Sequence, residues 1–221
     1  MKALDLRLYA LIDPEHAGGR DIAGLARLLA QGGATLVQLR DKRGATRLMV
    51  ERARDIRTAL EPLEVPFVIN DRVDVALACG ADGVHVGQED MMVEDARRIL
   101  GRKAIIGLSI RTAAQAAAAP LDILDYVGVG GVFATSSKDV CAPPIGAAGL
   151  ARIAEVVRGR APGFPLCGIA GITAENAADT IAAGADGVAV ISALSLAPDP
   201  RSAARNMRSI VDAALDARGG R

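Results

Sequence analysis

The chain contains eight short apolar runs that alternate with segments of helical periodicity. Most of the runs are continuous stretches of Val, Ile and Leu, as expected of parallel strands covered on both faces. Between them, spacings such as Met207, Ile210, Val211 and Ala214 form a single apolar stripe, which predicts a helix. The predicted strands span residues 7–13, 35–42, 66–71, 83–90, 104–110, 126–133, 165–172 and 187–194.

Eight strand–helix units in a chain of this length predict a (β/α)₈ TIM barrel, with eight parallel strands and outer helices, as a single domain over residues 1–221. An open doubly wound sheet is the alternative, but no Gly-rich dinucleotide loop follows the first strand. The word GADGV occurs at residues 80 and 184, before the fourth and eighth predicted strands. This spacing of four units favours the barrel.

Composition narrows the class of protein. Apolar residues make up 51% of the chain but aromatics only 2%, so the core must be aliphatic. The 26 basic residues balance the 26 acidic ones, which argues against binding to nucleic acid or to a membrane surface. Three cysteines without CxxC spacing indicate neither a disulfide framework nor a zinc site, and no apolar run is long enough for a membrane span. These features predict a cytoplasmic protein.

In a barrel, catalytic groups follow the carboxyl ends of the strands, whereas the opposite face serves stability. The repeated GADG precedes its strands, so Asp82 and Asp186 are predicted to be structural turn residues. After the second strand, Gln38, Arg40 and Lys42 alternate and should share one face. Two cations at the mouth of a barrel indicate an anionic ligand, although ordinary ion pairs at a solvated strand end are the alternative.

Carboxylates follow the next two strands. Asn70 and Asp71 end the third predicted strand, and Glu89 and Asp90 end the fourth. Mg²⁺ is typically held by one or two carboxylates together with substrate phosphates. Because these residues should lie near Arg40 and Lys42, they predict a site for Mg²⁺ and a diphosphate. The alternative is that Asp71 is the N-cap of the third helix.

The later loops indicate a second anion site. A long polar loop after the sixth strand contains Thr135, Ser136, Ser137 and Lys138, a set suited to phosphate. Barrels often bind phosphate through backbone amides after strands 7 and 8. The residues in that place are Gly171, Thr173 (predicted to open the seventh helix), Ile191 and Ser192.

The remaining reactive side chains give weaker signals. His85 lies in the middle of a predicted strand, and we interpret it as a residue packed in the core. His16 is a loop residue without an evident partner, and Cys79 and Cys167 are predicted to be buried. Ser109, at the end of the fifth strand, is suited to a hydrogen bond with substrate.

The chain resembles the thiamine-phosphate synthase family. The matching words, in family order, are VQLRDK, VINDRVDVALACGADGVHVGQED, IIGLS, VGGVFATSSK, GIAGIT and GADGVAVIS. The resemblance implies a transferase that joins 4-amino-2-methyl-5-hydroxymethylpyrimidine diphosphate to 4-methyl-5-(2-phosphooxyethyl)thiazole and releases diphosphate. It also implies that the diphosphate leaves first and that the thiazole nitrogen captures a pyrimidine cation.

The resemblance assigns site residues as follows. Pyrimidine diphosphate would be held by Gln38, Arg40, Lys42, Asn70, Ser109 and Lys138, of which Arg40, Lys42 and Lys138 would be catalytic. Asp71 and Asp90 would bind Mg²⁺. The thiazole phosphate would be held by Thr135, Ser136, Ser137, Gly171, Ile191 and Ser192.

This chain departs from the family pattern at Ala170, Gly131 and Ser137, where glycine, proline and threonine are usual. Two other functions stay open at this point: a thiazole tautomerase-like regulatory relative, and a binder of thiamine intermediates without turnover. Relatives of the first kind tend to lose the diphosphate residues, which are present here. The oligomeric state is open between a monomer and a homodimer.

Overall fold

The computed structural model describes residues 4–135 and 142–219. Eight parallel strands form a closed barrel in chain order, which confirms the predicted (β/α)₈ architecture. The barrel closes where β1 pairs with β8, with Leu8 opposite Val188. The strands are β1 (Leu8–Ile12), β2 (Leu36–Leu39), β3 (Phe67–Asn70), β4 (Gly83–Val86), β5 (Ile105–Ile110), β6 (Tyr126–Gly130), β7 (Leu166–Ile169) and β8 (Gly187–Val190).

Helices surround the barrel. They are α1 (Ile22–Gln31), α2 (Thr46–Leu60), α3 (Val73–Cys79), α4 (Val93–Leu100), α5 (Ala113–Ala118), α6 (Gly146–Arg160), α7 (Ala177–Ala182), α8 (Ser192–Ser195) and α9 (Pro200–Gly219). Two short 3₁₀ turns, Pro14–His16 and Glu61–Leu63, complete the regular structure of the described residues. None of the helices within residues 4–135 and 142–219 is long and apolar enough to cross a membrane.

The apolar residues form two layers. The larger lies between the strands and the helices and is almost entirely aliphatic, as the composition predicts. The smaller fills the barrel itself and includes Tyr9, Val68, Tyr126 and Cys167. Cys79 and Cys167 are both buried, so the prediction that they pack as small hydrophobic residues is confirmed.

Four side chains cap the amino-terminal face of the barrel in a repeating way. Each lies immediately before an even-numbered strand and accepts a hydrogen bond from an N–H at the start of the preceding odd-numbered strand. Asp82 accepts from Phe67 at 2.7 Å and Asp186 from Leu166 at 3.1 Å. The other two bonds join Thr35 to Leu8 and Asp125 to Ile106. These four residues, Thr35, Asp82, Asp125 and Asp186, are called the amino-face caps below.

The second glycine of each GADG is required by a close approach of backbone. A Cβ added to Gly83 would lie 1.8 Å from the carbonyl oxygen of Ile105, and one added to Gly187 would lie 1.7 Å from that of Leu6. Both distances are far below any van der Waals contact. The repeated word is therefore a structural turn, as predicted from its place before the strands.

Most predicted strands extend too far at their carboxyl ends. The eighth is the clearest case, because the prediction ran to residue 194 whereas β8 ends at Val190 and the short helix α8 begins at Ser192. The residues beyond each strand belong to loops at the mouth of the barrel, where the candidate site lies.

Candidate active site

The alternation predicted after β2 continues beyond the end of the strand. Gln38 lies inside the barrel and is buried. Arg40 forms an ion pair with Asp13, the residue that follows β1. Asp41 points the other way, toward α2, and pairs with Arg52 at 2.8 Å. Alternate residues of QLRDK therefore serve the mouth of the barrel and its outer layer.

Asp13 is a part of the site that sequence reasoning missed. Its side chain is only 2% exposed. One carboxylate oxygen accepts the N–H of Glu15 at 3.0 Å, which caps the 3₁₀ turn, and the other accepts from Arg40. His16 lies beside the same group, with its Nδ1 3.5 Å from an oxygen of Asp13. An acidic residue directly after the first strand, LYALID, was the available signal.

Lys42, Asp71 and Asp90 meet at the ends of β2, β3 and β4. The ammonium of Lys42 donates a hydrogen bond to Asp71. Burial raises the pKa of the Asp71 carboxyl, the adjacent Asp90 carboxyl raises it further, and the hydrogen bond from Lys42 opposes the rise. Two carboxyl groups within reach of one another are therefore placed at a mouth that also contains Lys42 and Arg40.

The backbone of Asp71 adopts an unusual conformation. Its φ angle is +61°, in the left-handed region that residues other than glycine rarely occupy. Its N–H donates to the carbonyl oxygen of His85 at 2.8 Å. The N-cap of α3 is Arg72, and no side chain caps that helix, so the alternative role of Asp71 as the N-cap is wrong.

The carboxylates of Asp71 and Asp90 suit a cation that takes its remaining ligands from substrate and water. Within residues 4–135 and 142–219, no group of three or more His, Cys, Asp or Glu side chains forms a ready-made metal site. A pair of carboxylates fits Mg²⁺, which usually keeps several waters and takes phosphate oxygens as further ligands. Asp71 and Asp90 therefore have the chemistry of a site that binds Mg²⁺ together with a diphosphate.

A polar network crosses the interior of the barrel. Tyr9 contacts both Gln38 and Tyr126 through its hydroxyl, and Tyr126 contacts Nδ1 of His85 at 2.9 Å. On the other side of the ring, Nε2 of His85 lies 2.8 Å from Oγ of Ser109. His85 is buried, as predicted, but as a member of a hydrogen-bond network rather than as an apolar packing residue. Sequence reasoning missed both tyrosines.

Asn70 and Ser109 lie beside this network. Asn70 is the last residue of β3 and stands opposite His85 in the register of the sheet. Ser109 lies near the end of β5, is partly exposed, and its carbonyl oxygen accepts from Gln88 at 2.7 Å. The described residues assigned to pyrimidine diphosphate thus lie on or just after β2, β3 and β5, and His85 of β4 stands between Asn70 and Ser109.

A cavity of about 160 Å³ opens at the ends of β7 and β8. The residues predicted to bind the thiazole phosphate that fall in the described ranges all line it: Thr135, Gly171, Ile191 and Ser192. The structure therefore brings together residues that are far apart in the sequence.

Two turns shape this cavity. Asn176 accepts a hydrogen bond from the N–H of Thr173 at 2.9 Å and donates one to the carbonyl oxygen of Gly171, also at 2.9 Å. The prediction that Thr173 opens the seventh helix is wrong, because α7 begins at Ala177 after this turn. After β8, Ile191 is the N-cap of the one-turn helix α8.

Ala170 and Gly171 both have positive φ angles, +79° and +67°. A Cβ on Gly171 would lie 2.4 Å from the carbonyl oxygen of Ala134, so only glycine fits there. Ala170 instead adopts the left-handed conformation with a side chain, which is strained. The usual family glycine at residue 170 is thus explained by backbone geometry.

Three assigned residues, Ser136, Ser137 and Lys138, lie outside the described residues, as does Cys141.

Gly131, the other departure from the family pattern, lies a few residues before this segment. A Cβ there would lie 2.8 Å from a guanidinium nitrogen of Arg111. That arginine donates to the carbonyl oxygen of Ala142 at 3.1 Å, where the described chain resumes. Gly131 therefore leaves space for Arg111.

The chain is similar to known proteins along most of its length. Residues 8–194 match the family model described as thiamine monophosphate synthase. The chain is 49% identical over 218 residues to the thiamine-phosphate synthase of Agrobacterium fabrum, covering 99% of both chains. It is 45% identical to the enzyme of the same name from Chloroflexus aurantiacus, covering 94% of both.

A solved structure is similar over the same extent. The thiamine phosphate pyrophosphorylase of Pyrococcus furiosus superimposes with a TM-score of 0.84 at 37% identity, covering 96% of this chain and 98% of that one. The sequence matches and the structural match therefore span the whole barrel, including both candidate anion sites.

Proposed function

Since the chain belongs to the thiamine monophosphate synthase family, we propose how the mouth of its barrel carries out the reaction of a thiamine-phosphate synthase. The protein is a transferase of thiamine biosynthesis. Its substrates in this proposal are 4-amino-2-methyl-5-hydroxymethylpyrimidine diphosphate and 4-methyl-5-(2-phosphooxyethyl)thiazole. The products are thiamine phosphate and diphosphate.

The observation that carries the assignment of sites is the cluster of Lys42, Asp71 and Asp90. A diphosphate is highly charged, and its departure requires stabilisation of the negative charge that grows on the leaving group. Lys42 and Arg40 supply positive charge at this mouth, while the carboxylates of Asp71 and Asp90 would hold a divalent cation. Bound Mg²⁺ would supply Lewis-acid stabilisation of the leaving diphosphate.

The pyrimidine end of this substrate occupies the barrel mouth in our proposal. Gln38, Asn70 and Ser109 contact it or its diphosphate, and Arg40 is held in place by Asp13. Lys138 adds a third cation from the loop after β6. As the diphosphate leaves, these groups stabilise it while the pyrimidine methylene carbon becomes electron-deficient.

The thiazole phosphate occupies the cavity at the ends of β7 and β8. Thr135 and Ser192 offer hydroxyl groups, joined by Ser136 and Ser137, and the backbone around Gly171 and Ile191 offers amides. The thiazole nitrogen carries a lone pair, so it captures the pyrimidine cation without a general base. A general base is therefore not needed. Among the described residues, the one buried histidine, His85, is engaged in hydrogen bonds inside the barrel.

The test is to mix both substrates with the protein and Mg²⁺ and to measure release of diphosphate together with formation of thiamine phosphate. We expect both products in equal amounts, and loss of turnover when the metal is removed with a chelator and its return when Mg²⁺ is restored. No release of diphosphate, with thiazole phosphate still bound, would instead favour a tautomerase-like relative or a binder without turnover.

A further inference from the structure

The polar network inside the barrel is a single chain of hydrogen bonds with a substrate-binding residue at each end. It runs from Gln38 through Tyr9 and Tyr126 to His85, and then to Ser109. Tyr9 and Tyr126 are fully buried, and they are the two tyrosines of the whole chain. Neither tyrosine is among the residues assigned to substrate binding.

The direction of this chain follows from the donors that each group possesses. Nε2 of Gln38 carries only protons, so it donates to the hydroxyl of Tyr9. The hydroxyl proton of Tyr9 then has the oxygen of Tyr126 as its acceptor, at 2.8 Å, and the proton of Tyr126 has Nδ1 of His85, which is the direction we assign to the chain.

An imidazole that accepts at Nδ1 carries its proton on Nε2 when it is neutral. His85 therefore donates from Nε2 to Oγ of Ser109. With its oxygen accepting from His85, the hydroxyl of Ser109 has its proton available for an acceptor at the mouth, such as an oxygen of a diphosphate. At the other end, Oε1 of Gln38 is buried and has no hydrogen-bond partner among the described residues, so it remains an acceptor that a donor group of substrate could satisfy.

We propose that Tyr9 and Tyr126 are positioning residues, which fix His85 as its Nε2–H tautomer and thereby make Ser109 a donor and Gln38 an acceptor toward pyrimidine diphosphate. The inference rests on the proposed binding of that substrate at this mouth. The two ends of the chain are coupled, since each hydroxyl has a single proton and the direction of one bond sets that of the next. The barrel then presents a fixed pattern of one donor and one acceptor.

The environment supports a chain with a fixed direction. Burial raises the pKa of both tyrosines well above the ordinary value, so each stays neutral and keeps its single proton. The ring of His85 packs against that of Tyr126, with centroids 5.4 Å apart, which restricts rotation of the imidazole. Polar groups in an aliphatic interior are costly unless they are hydrogen-bonded, so breaking the chain at any point is disfavoured.

The first test reads the tautomer directly. The chain has two histidines, so protein labelled with ¹⁵N-histidine gives two imidazole signals, and His16→Gln assigns them. At about pH 8, where an unperturbed imidazole is neutral, we expect His85 to be protonated on Nε2 in the substrate-free wild-type protein. Tyr126→Phe should shift the ring toward a mixture of tautomers. A wild-type ring protonated on Nδ1, or an equal mixture, would overturn the proposal.

The second test is kinetic. Tyr126→Phe should raise KM for pyrimidine diphosphate by roughly tenfold, the effect of about one hydrogen bond, and leave KM for thiazole phosphate nearly unchanged. Tyr9→Phe should act in the same direction, and it serves if Tyr126→Phe fails to fold. In a double-mutant cycle, Tyr126→Phe should have little further effect once Ser109 is alanine, because its influence passes through that residue.

Val68→Ala is the matched control, because Val68 packs in the same inner apolar layer but takes no part in the chain. We expect it to lower stability without the selective change in KM. Equal effects of Val68→Ala and Tyr126→Phe on the two KM values, or additive effects in the cycle, would overturn the positioning role. Failure of the proposed function is separable, since it would appear as absence of diphosphate release from the wild-type protein whatever the tautomer of His85.

Discussion

The buried carboxylate of Asp13, at the end of β1, forms an ion pair with the guanidinium of Arg40, at the end of β2. The side chains are 2% and 12% exposed, so the pair is almost withdrawn from water. The guanidinium group of Arg40 has five N–H donors. Asp13 accepts a hydrogen bond from one of its nitrogens and thereby fixes the orientation of the group. Asp13 thus holds in place a cation that the proposed mechanism uses on the diphosphate.

We therefore expect Asp13→Asn to raise KM for pyrimidine diphosphate by about tenfold and to lower the free energy of unfolding by about 1.5–3 kcal/mol, the range for a hydrogen bond to a charged group. The matched control is Asp41→Asn, which breaks the ion pair between the buried Asp41 and the partly exposed Arg52 on the outer side of the same loop. The control should cost similar stability with little change in KM. Steady-state kinetics and urea unfolding measure both effects, and equal KM values for the two variants would contradict the role of Asp13.

Asp71 is expected to cost stability in the absence of metal. Its pKa is raised in the folded protein, mainly by burial, so the folded state holds the proton more tightly than the unfolded state does. Its contribution to stability is therefore lost as pH rises from the ordinary value of 3.8 through the raised folded pKa. Its left-handed backbone, which asparagine tolerates better, adds to the cost.

Asp71→Asn should consequently raise the melting temperature of the metal-free protein at neutral pH, by about 2 °C, while abolishing most of the Mg²⁺-dependent activity. Thermal unfolding with and without Mg²⁺ and diphosphate measures the first effect, and turnover measures the second. Asp74→Asn, at an exposed carboxylate paired with Arg72, is the control; because Arg72 lowers the pKa of Asp74, this exchange should not raise the melting temperature, and it should leave the activity unchanged. A lower melting temperature for Asp71→Asn in the metal-free protein would contradict this account.

Removing a methyl group at residue 170 and adding one at residue 171, in the turn after β7, should have opposite effects: the first should be favourable and the second harmful. Ala170→Gly relieves a left-handed residue and should stabilise the protein by about 0.5–1 kcal/mol, after allowance for the greater entropy of glycine in the unfolded chain. Gly171→Ala places a Cβ against the carbonyl oxygen of Ala134 and should weaken binding of thiazole phosphate at least tenfold. Calorimetric titration with thiazole phosphate and urea unfolding measure these effects, and normal binding by Gly171→Ala would refute the assignment of this turn.

The amino-terminal face should affect stability but not catalysis. Gly187→Ala forces a Cβ into the backbone of Leu6 and should cost about 3 kcal/mol or more. Gly159→Ala, near the end of α6 with open space around it, should instead be neutral or stabilise by up to about 0.5 kcal/mol. Urea unfolding compares the two, and KM values are measured on the folded fraction. A change in KM with unchanged stability for Gly187→Ala would contradict the division between the two faces.

The barrel was predictable because parallel strands buried on both faces leave continuous apolar runs in the sequence. The carboxyl ends were not, because apolar residues continue past them. After β8 the letters ISAL still look like a strand, yet Leu194 is buried as part of the short helix α8. An apolar run does not distinguish a strand from one turn of a buried helix.

That Lys42, Asp71 and Asp90 meet at one mouth was predictable, because each of them follows a strand end. Tyr9 and Tyr126 were not, since they lie inside strands and their partnership joins residues 117 positions apart. Only the closure of the barrel brings them together. The roles of all the assigned site residues stay predictions, and Ser136, Ser137 and Lys138 also lie outside the described ranges.

The amino-face caps have a consequence for how such a chain can be recombined. Each cap satisfies an amide of the strand before it, so β1 belongs with β2, β3 with β4, β5 with β6 and β7 with β8. The smallest exchangeable block is thus two consecutive strand–helix units that begin at an odd strand. A crossover between two related sequences just before β3, β5 or β7 keeps every cap with its own amide. A crossover within a pair of strands separates a cap from its amide, so that the two come from different parent sequences.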